Sequence, residues 1–415
     1  MFKTYTTQKK AWGNNRGARW RFSLVAAAVS LLLALPVAAG SREQAKRIHD
    51  RLTGVPPTVD VLDAMTAKVS AGGNGPFEAA LIAMDTDPVN GNPENAKYFY
   101  NVTLKNFAAP WTNEAQSVFE PLNDYTATVI GMIRDDVPFN KLFSVDYVYG
   151  APTLNSVSSI SPDSNAHYED LEAQAVDLSD KTVFEQVDQV TAVGLPDSSA
   201  AAGVLTSRAA ARAFFIDGTN RAMFRFTMLN HLCNDMEQVK DTTRAPDRIR
   251  QDVSRSPGGD SRIFLNSCVG CHTGMDPMAQ AFAYYEYVYP EGDEDGGRLV
   301  YTTGQVQPKY LINEDNFKPG YVTPDDRWDN YWRSGPNAIL GWDPVLTGTG
   351  YGARSMGEEL ANSEAFARCQ SIKVYRTVCL GEPTQGQLNT LKTTFQAGYN
   401  MKNVFAEAAV QCMGF

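Results

Sequence analysis

The sequence predicts a mostly α chain with long irregular loops and little regular sheet. Apolar residues recur at helical spacing near both ends of the chain, the stretches between are rich in Pro, Gly, Ser and Asp, and strand-like alternation is confined to one short piece. With 415 residues, 43% hydrophobic and 20% charged, the chain is long enough for two or three ordinary cores and reads as globular. Its slightly negative mean hydropathy argues against several membrane spans.

The first element, residues 1–39, is read as a secretory signal peptide. Lys3, Lys9, Lys10, Arg16, Arg19 and Arg21 precede an apolar run from Phe22 to Leu35 and the small-residue stretch Pro36-Val37-Ala38-Ala39, with cleavage expected after Ala39. An uncleaved anchor is the alternative, since the run stretches to about 18 residues; the Pro and small residues favour cleavage, leaving no stable membrane span. Cleavage removes six basic residues and no acids, taking the net charge from −10 to −16. Such a surface repels phosphate backbones, which argues against nucleic acid and for a protein partner with a basic docking surface. Plain solubility is the bland reading of the same charge.

Residues 40–152 are expected as an N-terminal helical domain. Helix runs from Arg42, turns at Gly54-Val55-Pro56-Pro57 and resumes to Ser70, with Thr58 as an N-cap. The stretch from Tyr98 to Ile130 reads as helix broken near Pro110 and Pro121, and Phe143–Tyr149 alternates like a strand. The Ser-, Asp- and Pro-rich residues 153–200 read as a linker or surface region. Residues 201–415 follow as a domain with helix from Ala209 to Lys240, irregular aromatic loops from Tyr301 to Trp342, and a helical tail from Ser355.

Chemistry concentrates at Cys268-Val269-Gly270-Cys271-His272. Two thiols separated by two residues reach one edge of a macrocycle from a helical turn, and the adjacent imidazole then meets the metal from the proximal side. Cys268 and Cys271 are therefore the expected thioether residues of one covalent haem c, and His272 its proximal iron ligand. Random placement of six Cys and four His produces such a pentad in about one chain in a thousand. A zinc half-site would need two more ligands at metal spacing, and a redox dithiol would need a strand–helix context. For the distal position, Met356, in the Gly-rich Gly348–Met356 segment that leads into a helix, is the leading side-chain candidate and His231 the lesser one. An open or water-bound iron stands beside both, while Met356 as core and His231 as a satisfied helical histidine are the bland readings. His49 and His167 are the remaining histidines. Met275 and Met278 lie too close to His272 to reach the other face and are expected beside the haem edge. The aromatics Phe282, Tyr284, Tyr285, Tyr287, Tyr289, Trp328, Trp332 and Trp342 either wall the haem or fill a loop-rich core.

Four cysteines remain, Cys233, Cys369, Cys379 and Cys412, enough for two disulfides in an oxidising compartment. If Ser363–Leu380 is one helix, Cys369 and Cys379 stand about 15 Å apart. That is beyond the roughly 4.4–6.8 Å a disulfide spans, and the other pairings stay open.

Cys268-Val-Gly-Cys-His-Thr-Gly-Met-Asp-Pro-Met278 with Ala281-Phe282-Ala283 and Glu286 resembles the planctomycete-type cytochrome c modules, in which the pentad precedes a Met/Ile-Asp-Pro step. Gly203–Ser207, the Arg221 helix, Ala361–Gly381 and Arg51–Thr58 are similar to flanking segments of such proteins. The chain departs at Met278-Ala279-Gln280-Ala281, where an apolar-Gly-Phe-Ala step is common, and in its extra cysteines. The resemblance implies a cytochrome c-like haem module inserted between helical N-terminal and C-terminal segments. The role expected is periplasmic or cell-surface electron transfer. The alternatives are a haem-dependent oxidoreductase, peroxidase-like or oxygen-using, on an extracellular substrate, and a haem-bearing interaction module of an envelope assembly. No nucleophile elbow, P-loop, zinc-protease or dinucleotide motif competes with these readings.

Overall fold

The computed structural model describes residues 39–216, 219–290, 296–311 and 320–414. The expected signal segment lies outside them apart from Ala39, as does most of the acidic turn at 292–297. The described residues are mostly helical. Helix α1 (Ser41–Thr53) ends where Gly54 takes φ 74°, a left-handed turn that costs glycine little. Thr58 then caps α2 (Val59–Ala71), its side chain accepting from the Val61 N–H, and α3 (Gly75–Met84) follows. Such a cap stabilises a helix by about 1 kcal/mol. Helical turns from Ala96 to Ala108 include a π turn at Phe99–Leu104, and α4 (Asp124–Arg134), capped by Asn123, is buried along its whole length.

Strand β1 (Tyr147–Gly150) pairs antiparallel with β2 (Glu185–Asp188), and α5 (Ala166–Ala173) lies between them in sequence. The segment expected as a linker or surface region thus carries buried residues among many exposed ones. Tyr168, Leu171, Leu178, Phe184, Val193 and Leu195 are buried in the main apolar cluster. Its aspartates make turns: Asp177, Asp180, Asp188 and Asp197 each accept from a backbone N–H two or three residues on. The composition that suggested a linker is the composition of tight turns between core-forming pieces.

Helices α6 (Arg208–Phe214) and α7 (Arg221–Leu232) lead to the motif-bearing helix α8 (Val269–Ala279), which grows out of a π turn at Phe264–Cys268. Two small antiparallel ribbons follow, β3 (Tyr285–Val288) with β4 (Arg298–Tyr301) and β5 (Arg327–Asp329) with β6 (Thr349–Tyr351). Helix α9 (Gly352–Ala361) opens the tail.

Ser363 caps α10 (Glu364–Cys379), Thr384 and Gln387 form a reciprocal capping box on α11 (Gln385–Gln396), and Asn400 caps α12 (Met401–Gln411). Helix α12 packs against α1, α3 and α4, and the Phe405 ring meets Phe99 and Phe107 edge-on at 5.1 and 5.3 Å. The two ends of the chain therefore share one core: a single buried apolar cluster extends from Ala45 to Ala409. Disulfides join Cys233 to Cys369 and Cys379 to Cys412, with Cα separations of 5.3 and 5.7 Å. The first ties the end of α7 to α10; the second ties the ends of α10 and α12. No helix among the described residues is long and apolar enough to cross a membrane.

Candidate functional site

The motif helix has a closed back and an open front. On the back, Gly270 lies against residues 240–242: a Cβ there would fall 3.2 Å from Lys240 Cβ and Thr242 Cγ2, and its carbonyl accepts from the Asp241 N–H at 2.8 Å. At Gly274 a Cβ would sit 2.0 Å from the Trp332 indole nitrogen, so only glycine admits that ring. On the front, Cys268, Cys271 and His272 follow at i, i+3 and i+4, the spacing of neighbours on one helix face. Both thiols are half-buried and are the free cysteines, since the other four are paired. Leu265 and Ile263, in the turns just before Cys268, are 57% and 45% exposed. Burial pushes the Cys271 thiol up, with Glu237 adding to it. That is the wrong direction for an activated redox thiol.

His272 is anchored from behind. Its Nδ1 contacts Asp276 Oδ1 at 3.0 Å, one helical turn on. Asp276 is completely buried and is gripped by Arg221, whose Nε and Nη2 reach its two oxygens at 2.7 and 3.2 Å. Arg221 in turn holds Asp252 through Nη1 and Nη2 at 2.7 and 2.9 Å. The buried Arg250 adds its backbone N–H to Asp276 at 3.4 Å, bonds the Thr219 hydroxyl at 2.7 Å and lies 4.5 Å over the Tyr310 ring. Burial opposes ionisation of Asp276, but the charges of Arg221, His272 and Arg250 outweigh it and hold the carboxyl well below its ordinary range. With Asp276 accepting, the proton of a neutral His272 ring sits on Nδ1. Nε2 then keeps its lone pair, and it makes no hydrogen bond among the described residues.

The other three histidines have both ring nitrogens engaged. His231 sits between the Tyr125 hydroxyl at 2.6 Å and Gln370 Nε2 at 3.3 Å, enclosed by Trp111, Phe143 and Phe366. His49 meets the Val55 carbonyl and Asn92, and His167 meets the Ser158 carbonyl and the Ala151 N–H. His231 is thus a satisfied core histidine. Burial, with Lys373 adding to it, pushes its pKa well below 6.5. The folded chain keeps the ring neutral, whereas the unfolded chain protonates it near pH 6.5, so this contribution to stability is full above pH 6.5 and falls below it. The stability gap between wild type and His231→Gln is expected to narrow by about 1.4 kcal/mol between pH 7.5 and 5.5. Urea titrations at both pH values measure it, and an unchanged gap refutes it.

Met356 is fully buried in α9 rather than carried on a loop. That helix packs on the 280–282 turn, about 12 Å along the α8 axis from His272. Its surroundings are those of a core residue. Met275 and Met278 are also buried in the main cluster, as are Phe282, Tyr285, Tyr287, Trp328 and Trp332. These aromatics lie in a loop-rich core, and the Trp332 ring packs directly against Gly274 of the motif helix.

Residue by residue, the front face of α8 suits a c-type haem. It offers two thiols at the attachment spacing, an imidazole with Nδ1 anchored and Nε2 available, and exposed apolar side chains beside them for a flat macrocycle to cover. Among the described residues no three His, Cys, Asp or Glu side chains converge as on a bare metal ion, so the zinc reading finds no completing ligands. Asp276 escaped sequence reasoning as a functional residue although its i+4 spacing from His272 was in plain view. Arg221, Asp252 and Arg250 had no local signal, because only the fold brings them there. No protein family, curated protein or solved structure matches the chain.

Proposed function

We propose that the chain is a secreted mono-haem c-type cytochrome working in electron transfer in the periplasm or at the cell surface, of the planctomycete-type cytochrome c kind. The observation that carries this reading is the chemistry left unspent. Four cysteines are consumed by disulfides and three histidines by hydrogen bonds at both ring nitrogens, while Cys268 and Cys271 stay outside the disulfides and join the Nε2 of His272 at the spacing of one partly exposed helix face, with only a long contact from the Cys271 thiol to the Met236 carbonyl. Haem c bound there supplies an iron that gains and loses one electron. Cys268 and Cys271 hold it through thioethers and His272 through Nε2. Gly270 and Gly274 let the helix lie tight on its supports, so the face does not shift as a partner docks. Disulfides in the core fit an oxidising compartment, and the −16 charge left after signal cleavage fits a partner with a basic surface.

The test is maturation of the chain with a c-type haem system, followed by oxidised and reduced spectra with and without carbon monoxide. One covalent haem per chain supports the reading, and a purified protein without covalent haem overturns it. A low-spin spectrum insensitive to carbon monoxide marks a carrier, whereas a high-spin spectrum that shifts with it marks the haem-dependent oxidoreductase. The same spectra decide the role of Met356. As a core residue, Met356→Ala is expected to leave the haem bands unchanged and to lower stability by about 2–5 kcal/mol in urea unfolding. Loss of a far-red sulfur–iron band in that variant would make it the distal ligand.

A further inference from the structure

The contact behind His272 is stronger than orientation of a ring requires. A backbone carbonyl or a water would fix the Nδ1 proton equally well, and either would be neutral. Here the acceptor is a carboxylate at 3.0 Å, on the same helix face by its i+4 spacing. It has no exposed surface and cannot swing away, because Arg221 holds both of its oxygens and is itself held by both oxygens of Asp252. Two arginines and two aspartates balance in charge, so the carboxylate stays in the interior without a counterion from solvent. A ligand imidazole that donates to a carboxylate is a more basic ligand at its other nitrogen, and such a hydrogen bond is one of the levers by which a protein tunes bound iron.

Resting on the haem reading above, we infer that Asp276 is a positioning residue that makes His272 an electron-rich ligand and so holds bound haem iron toward the oxidised state. Asp276 draws on the Nδ1 proton, and His272 passes the added electron density out through Nε2. Arg221 and Asp252 keep the carboxylate in line. The chain then takes its single electron from a partner of low potential and gives it to an acceptor of higher potential. No proton or atom is transferred in that step.

The test compares the full-length haem-loaded protein with its Asp276→Asn and Asp252→Asn variants. Both substitutions remove one negative charge from the same network, but only the first touches the imidazole. The readouts are reduction potential by spectroelectrochemistry and the ferric electron-paramagnetic-resonance g values, which report ligand strength. Asp276→Asn is expected to shift the Fe(III)/Fe(II) equilibrium at least tenfold toward Fe(II), 59 mV for one electron, with altered g values. Asp252→Asn is expected to shift it less than threefold with g values unchanged. Equal shifts in the two variants, or unchanged g values in Asp276→Asn, overturn the inference. If Asp276→Asn does not fold, Asp276→Glu keeps the charge for Arg221 while displacing the carboxylate by one methylene. Its potential and g values are then expected to move, and unmoved values overturn the inference. A wild-type protein without covalent haem removes the functional reading and the inference with it. A haem-bearing wild type whose Asp276 variants do not respond removes the inference alone.

Discussion

On the proposed haem reading, alanine at both Cys268 and Cys271 is expected to leave a folded protein with no covalently attached haem, where the wild type is expected to carry one per chain. The effect is all or none because these are the cysteines outside the two disulfides, and no other side chain on the open face of α8 can form a thioether. Folding should survive the change. Both thiols are half-buried, Cys268 at the edge of a small cluster and Cys271 at the edge of the main one, so truncation costs about 1 kcal/mol. The measurement is haem-dependent staining after denaturing electrophoresis, with the pyridine haemochrome for stoichiometry. Each single variant should retain one thioether and still stain. A thiol count on the unfolded, unreduced wild type separates the rival account: thioethers leave no free thiol, whereas a redox dithiol in its reduced form leaves two. Staining that persists in the double variant would sink the assignment of the attachment site.

His272→Ala completes the series from the other side. The thioethers should form, so staining remains, but the spectrum should lose its proximal imidazole character. Asp276 would then face Arg221 and Arg250 without its ring partner. Separating attachment from ligation in this way distinguishes three neighbouring residues that the sequence presents as a single motif.

How much of this was legible beforehand follows the range of the interactions. Caps and turns act over a few residues, and Thr58, the Gly54 turn and the single helix through Cys369 and Cys379 were all readable from local chemistry. The pentad is equally local, with all five of its residues adjacent, and haem staining is the measurement that decides its chemistry. The apolar residues of 153–200 that join the core were not readable, because Asp and Ser signal a turn whether or not the apolar residues beside them find a core. The anchoring of His272 was half legible. Asp276 stands four residues away, at the spacing of one helix face, but a lone i+4 aspartate is as often a solvated surface group. Arg221 and Asp252 enter only once α7 and the 249–253 segment are folded against α8. Met356 shows a limit of another kind: its Gly-rich approach to a helix suggests a ligand loop, the side chain is buried within α9, and burial is common to a core residue and a ligand.

Opening the disulfide between Cys233 and Cys369 should be the most damaging change to stability that leaves the haem face intact. The bond closes a loop of 136 residues and the second, Cys379 to Cys412, one of 33. Chain-entropy arguments put their contributions at about 5 and 4 kcal/mol respectively, through the unfolded state. Cys369 is also completely buried, so Cys233→Ala with Cys369→Ala adds a small cavity beside the Asn230 carbonyl. An ordinary domain is stable by about 5–15 kcal/mol, so losing both bonds removes a large part of the whole. Dithiothreitol makes the experiment clean, because it reduces disulfides and leaves thioethers alone. Urea unfolding with reductant should show a much lower midpoint while the covalent haem remains in place. A midpoint that reductant does not move would mean that the interlocked α1, α3, α10 and α12 core carries the fold by itself. The expected drop would instead make the oxidising compartment a condition of stability, independent of anything read from residues 1–39.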